Sequence, residues 1–195
     1  MTKSILIVAT AALFSLPTVA AAQALPAAVV AVVDVQRAST TCNACRTALT
    51  QLEAQVTSLR ALQTQLQTSL QTEQTSIQTA INALSGRQPD AALTARITAF
   101  DGRQADAQRQ LQTREQTFQR NRNYILQQIG QRLDPIFTTV LARRGATVML
   151  DSGNVLRSAP ALDVTADVIA GLNANATPIG VTAPAQAQPA APAGR

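Results

Sequence analysis

Histidine and tryptophan are absent from the 195-residue chain, tyrosine occurs once, and phenylalanine occurs four times. Without histidine there is no neutral-pH proton shuttle, no Ser–His or Cys–His nucleophile pair, and no three-histidine metal site. Two cysteines cannot close a tetrahedral zinc site within one chain. So few aromatic side chains argue against a large globular core, because aromatics supply much of the buried area of compact domains. They also leave nothing to interleave with basic residues as a stacking platform for single-stranded nucleic acid. No glycine-rich phosphate loop is present, so nothing points to nucleotide use. Lysine is nearly missing, Lys3 being the only one, and the net charge of +5 is therefore carried by arginine.

What is present begins with residues 1–24. Lys3 precedes an apolar run from Ile5 to Leu16, followed by two small-residue sites, Ala20-Ala21-Ala22 and Ala22-Gln23-Ala24. This layout predicts a cleaved secretory signal, its apolar run too short to span a bilayer. The mature protein is then expected to be exported, soluble, and in a compartment where disulfides persist.

Between Cys45 and Ser85 no Gly or Pro intervenes, and Leu49, Leu52, Val56, Leu59, Leu66, Leu70, Ile77 and Leu84 recur at helical spacing. This is a helix with a narrow apolar seam. The stretch Ser85-Gly-Arg-Gln-Pro-Asp90 stops it and starts another. Leu93, Ile97, Phe100, Ala107, Leu111, Phe118, Ile125, Ile129, Leu133, Ile136 and Val140 mark the second helix. A single tight turn between them predicts an antiparallel hairpin arm over residues 46–133, about 55 to 60 Å long at 1.5 Å per residue. With the turn near 87 and 88, Leu49 is expected near Leu126, Ile77 near Thr98, and Glu73 beside Arg103 or Gln104. Gln63, Glu73, Gln104, Arg114 and Asn121 fall on the seam, weakening it while pinning its register. Pro135 predicts a break or kink.

The flanks differ. Ala27 to Val35 reads as a buried strand, and Ala146 to Ser158 reads as a strand, a turn at Asp151 to Asn154, and a second strand. Asp163-Val-Thr165 is expected to cap a short helix. The fold class is thus α+β: a small β/α body from residues 25–45 and 134–173 carrying the arm, with 174–195 expected to be a disordered Pro/Ala-rich tail.

Two sets of residues are candidates for chemistry. Cys42-Asn-Ala-Cys45 has the spacing of a redox pair near a helix start. A thioredoxin-type fold would follow it with alternating strands and helices, whereas a long helical hairpin follows here. Cys42 and Cys45 are therefore read as a candidate structural disulfide, within or between chains, with free buried thiols and a thiol oxidoreductase as alternatives. Residues 87–144 hold ten arginines against five acidic residues. Arg96, Arg103, Arg109 and Arg114 are candidate contacts for an acidic client, anionic lipid or lipopolysaccharide. The carboxylates Asp34, Asp151, Asp163 and Asp167 lie at strand ends, turns or caps and assemble no catalytic set, so no enzyme and no cofactor is expected.

The strand Val30-Ala-Val-Val-Asp34, the helical pair, and above all the closing block Val148-Met-Leu-Asp151, Val155-Leu156, Ala161-Leu-Asp-Val-Thr165, Val168-Ile169 and Leu172-Asn173 resemble the OmpH/Skp family of periplasmic chaperones. The resemblance covers about Val29 to Asn173. Cys42-Asn-Ala-Cys45, arginine in place of lysine, and the tail depart from it. The resemblance implies a homotrimer whose strands form a β body at one end. It also implies three arms around a cavity that holds unfolded outer-membrane proteins without ATP. The other reading of the residues is a coiled-coil envelope adaptor without holdase activity. Export argues against nucleic acid as the natural partner.

Overall fold

The computed structural model describes residues 26–185; the expected signal peptide (1–24) and the last ten residues lie outside the described range. In chain order come β1 (Val30–Val33), α1 (Val35–Thr41), α2 (Asn43–Ala83), α3 (Ala91–Arg144), β2 (Val148–Asp151) and α4 (Thr165–Ala174), with short 3-10 turns at Ser152–Asn154 and Pro160–Leu162. The molecule is mostly helical, with two long helices and a small two-stranded parallel sheet.

The strand read as Ala27 to Val35 is shorter, because Asp34 ends it by capping α1: its Oδ1 accepts from the Arg37 N–H at 2.7 Å. An N-cap carboxylate satisfies one of the free donors of the first turn. The helix α1 was not anticipated; it breaks at Cys42, whose φ/ψ of −59°/146° is extended, and α2 starts immediately. At the distal turn Ser85 and Gly86 take positive φ, and Asp90 caps α3 by accepting from the Leu93 N–H at 2.8 Å.

Contacts between the long helices descend along α3 as they ascend along α2. Glu73 receives both the Nε and an Nη hydrogen bond of Arg103, Arg96 Nη2 donates to Ser76 Oγ at 2.6 Å, and Asn121 Nδ2 donates to Gln55 Oε1 at 2.9 Å. Glu73 and Arg103 thus meet at the register expected from the turn. The inward residue nearer the base is Ile125 rather than Leu126, which is 48% exposed. Of the polar residues expected on the seam, Asn121 is buried and Glu73 half-buried, whereas Gln63, Gln104 and Arg114 face solvent.

Pro135 does not break the helix: α3 runs unbroken through it to Arg144 and ends at Gly145 in the left-handed region. Proline removes the N–H that would bond the Gln131 carbonyl and crowds that carbonyl, and Gln131 is exposed. Leu133 before it and Val140 after it are both seated in the core, so the helix is packed on either side of the proline.

The expected second strand and hairpin are not formed in this chain. β2 pairs with β1 in parallel, Val30 opposite Val148 through Val33 opposite Asp151, and the chain then turns at Ser152–Asn154 with Asp151 Oδ1 accepting from the Gly153 N–H. A parallel pair needs a long crossover, and the two long helices are that crossover. On the other side of β1, Val164 N–H donates to the Val32 carbonyl at 2.9 Å, so β1 lies centrally, with Ala31, Val32 and Val33 buried. Asp163 Oδ1 accepts from the Thr165 N–H and holds the start of α4, while the Thr165 hydroxyl accepts from the Asp34 N–H. The core joins these parts: Val33, Ala38, Cys45, Ile125, Val140, Val168 and Leu172 form one buried cluster where sheet, α1, α4 and the base of the long helices meet.

The tail requires the largest correction. Residues 176–183, expected to be disordered from their Pro and Ala content, lie back along the base of the arm. Ile179 is buried in the core cluster, and the segment is hydrogen-bonded by side chains of α2 and α3.

Candidate functional site

Cys42 and Cys45 sit at the junction of α1 and α2, where the extended backbone at Cys42 lets the two side chains of a three-residue step face each other. The structure carries a disulfide between them with Cα atoms 5.0 Å apart, and Cys42 Sγ accepts from the Cys45 N–H. Both residues are buried, at 2% and 0% exposure, in the cluster with Ala48, Ile125 and Ile129. Thiol exchange needs an accessible sulfur. This burial leaves little sulfur surface for an outside thiolate to reach in the folded chain.

The four candidate arginines fall on the arm in different settings. Arg103 is engaged by Glu73 and Arg109 by Asp106, so much of their charge is locally compensated. Arg96 bonds the neutral Ser76 hydroxyl and keeps its charge. Arg114 borders a cavity of about 560 Å³ between the long helices, walled by Leu59, Leu62, Phe118 and Asn121 and reached by Thr182 of the tail. The arm therefore offers a concavity of mixed lining, with Leu59, Leu62 and Phe118 among polar residues and Arg114 as its one cation, not a continuous basic stripe.

Sequence reasoning missed the row of polar side chains that runs from this cavity toward the base. Asn121, Gln128 and Arg132 share one face of α3, and Gln55 joins them from α2. The only trace in the sequence was Asn121, one of the five polar residues falling on the seam.

At the base, Val29, Val148, Leu150 and Leu162 are each more than a third exposed, and Leu156 is wholly exposed. Val148 and Leu150 belong to β2, whose outer edge has no partner within the described residues, while Val29 precedes β1 and Leu162 precedes the Asp163 bridge on the far side of β1. A two-stranded sheet is marginal in water by itself, and an exposed apolar edge strand is a template for pairing with another chain.

A family model for OmpH-like outer membrane proteins matches residues 29–172, covering the sheet, both long helices and α4. The chain belongs to the OmpH-like family. A crystal structure of a candidate OmpH-like outer membrane chaperone from Caulobacter crescentus CB15 superposes with a TM-score of 0.64 at 21% identity, covering 77% of this chain and 87% of that one. The OmpH-like fold is thus shared at an identity where most side chains differ. No curated protein matches the chain. The match to the family stops before Asn173, so the segment laid along the arm lies outside it.

Among the described residues no helix is long and apolar enough to cross a membrane, and no group of three or more His, Cys, Asp or Glu is placed to hold a metal ion.

Proposed function

We propose that this OmpH-like protein is an ATP-independent periplasmic holdase, exported through the signal at 1–24, that binds unfolded outer-membrane proteins and suppresses their aggregation. The observation that carries the reading is the exposed apolar edge of β2 at the foot of two long helices. Covering that edge requires further copies, and a homotrimer would set three antiparallel hairpin arms around a common cavity. In this reading residues 25–45 and 134–173 are the assembly body and 46–133 the arm. Clients are held through many weak contacts on the arms, Arg96 and Arg114 supplying charge that also suits anionic lipid or lipopolysaccharide. The Cys42–Cys45 disulfide acts as a structural clip at the root of the arm. Such a protein acts by mass action on the unfolded state and needs no energy source.

The test is turbidity after dilution of a urea-unfolded outer-membrane protein into buffer, with wild type and with the Cys42→Ser, Cys45→Ser double variant. Suppression by both is expected. Suppression by neither favours the coiled-coil adaptor, and insulin reduction by wild type that the double variant loses favours the oxidoreductase.

A further inference from the structure

The hydrogen bonds that α2 and α3 make to the segment Thr177 to Ala183 all run to its main chain. Arg132 donates from Nη1 to the Thr177 carbonyl and from Nη2 to the Pro178 carbonyl, both at 2.8 Å. The Gln128 amide grips Gly180 at both ends, accepting from its N–H at 2.9 Å and donating to its carbonyl at 2.8 Å. Gln55 Nε2 lies 3.5 Å from the Val181 carbonyl, and Asn121 Oδ1 accepts from the Ala183 N–H at 2.9 Å. The Gln128 pair copies what a neighbouring strand does for one residue of a β-ladder.

The geometry is that of an extended peptide. From Arg132 to Asn121 the helix advances about 16 Å at 1.5 Å per residue. Six residues of extended chain cover about 20 Å at 3.3 Å each, so the segment passes its readers nearly stretched. Two side chains anchor it: Ile179, 6% exposed in the core cluster, and Val181, partly buried against that cluster. Gly180 permits the close approach, since a Cβ there would lie 3.2 Å from Tyr124 Cε1. Past Thr182 the same groove opens into the 560 Å³ cavity between the helices.

Readers that address carbonyls and N–H groups do not discriminate between sequences. Arg132, Gln128 and Asn121 are therefore not specific to the tail, and the cavity beyond it lengthens the track available to a longer chain.

We infer that the α2–α3 groove lined by Gln55, Asn121, Gln128 and Arg132 is a binding site for extended polypeptide, read through its backbone and anchored by β-branched side chains, which residues 177–183 occupy as an internal competitor. The inference rests on the holdase reading and gives it a defined contact. An unfolded segment enters when it displaces the tail, so the tail sets a threshold that admits long or locally concentrated chains.

The experiment uses the full chain and a fluorescein-labelled nine-residue peptide of unrelated order with Val-Gly at its centre, its binding followed by anisotropy. Ile179→Asp, which unseats the tail, is expected to bind the peptide at least tenfold more tightly than wild type. Adding Asn121→Leu and Gln128→Leu to it is expected to abolish the gain. Equal affinity of wild type and Ile179→Asp overturns the inference, as does a triple variant that keeps the gain. Ellipticity at 222 nm checks that the variants keep their helices. Gly180→Val, which crowds Tyr124 without burying a charge, is the second route to release and carries the same expectations. Turbidity is read on the same proteins. Suppression without any gain in peptide binding overturns this site alone, whereas a gain without suppression upholds the site and overturns the holdase.

Discussion

The most direct check on the packing is Ile125→Ala set beside Ile81→Ala. The two substitutions remove the same three carbons from the two long helices, and the burial differs: Ile125 is 0% exposed at the centre of the core cluster, Ile81 36% exposed near the distal turn. At Ile125 the lost transfer term is about 2.4 kcal/mol, from three carbons at about 0.8 kcal/mol each. A residual cavity adds to this, because Cys45, Ile129 and Leu172 are held by different elements and cannot all close in. The total expected is about 3 to 4 kcal/mol, inside the range of about 2–5 kcal/mol for large-to-alanine changes in cores. At Ile81 a third of the side chain is already wet and alanine is the better helix former, so the cost should be about 1 kcal/mol or less. Urea unfolding followed at 222 nm, at one protein concentration because assembly contributes to apparent stability, gives both values. A cost at Ile125 below about 1 kcal/mol, or equal to that at Ile81, refutes the assignment of the core to the base of the arm.

Two single residues carry further predictions. Gly102 lies inside α3 with open space around the place a Cβ would take, so Gly102→Ala should stabilise the arm by about 1 kcal/mol, read as a higher urea midpoint at unchanged slope. The Asp163 carboxyl is held below its ordinary value, first by the Thr165 hydroxyl, then by the Thr165 N–H, with a smaller favourable contribution from Arg37 and an opposing one from burial. A depressed folded-state pKa stabilises fully above the unfolded value and is lost as pH falls through the folded one. Asp163→Asn should therefore cost stability near neutrality and narrow its gap to wild type as pH falls below about 4; a gap that stays constant or widens refutes the role.

The long helices were legible because their evidence is local and repeated. An apolar residue every three or four positions, no Gly or Pro from Cys45 to Ser85, and Asp90 after Pro89 each act within one or two turns. The register followed from the shortness of the turn, which is why Glu73 could be placed beside Arg103 from spacing alone. The strands β1 and β2 were placed within a few residues for the same reason, since β-branched runs are visible in isolation, whereas the strand expected after Asp151 to Asn154 did not form. Asp163 was legible as a residue of the helix start but not as its cap: it accepts from the Thr165 N–H two residues on, while Val164 occupies the N-cap position with no side-chain cap bond.

What failed depended on partners remote in sequence. Val148 to Asp151 carries no mark of whether it will pair with the segment after it or with Val30 to Val33, 118 residues earlier, and the closure of the long helices chose the latter. Pro135 looked like a break because the local rule sees the lost N–H and not the core contacts of Leu133 and Val140 that carry α3 across it. Thr177 to Ala183 looked unstructured because it makes no regular structure of its own. Its order comes from Arg132, Gln128, Asn121 and Gln55, which are some fifty to over a hundred residues distant and unremarkable on a polar helix.

By itself, then, the amino-acid order determined two amphipathic helices, the turn between them, and the caps and β-branched runs at either end, because each is set by forces acting within a few residues. The tertiary structure alone decided the parallel pairing of the terminal strands, the burial of Cys42 and Cys45, and the seating of the tail in a groove of polar side chains, because each joins groups that only closure of the whole chain brings within bonding distance.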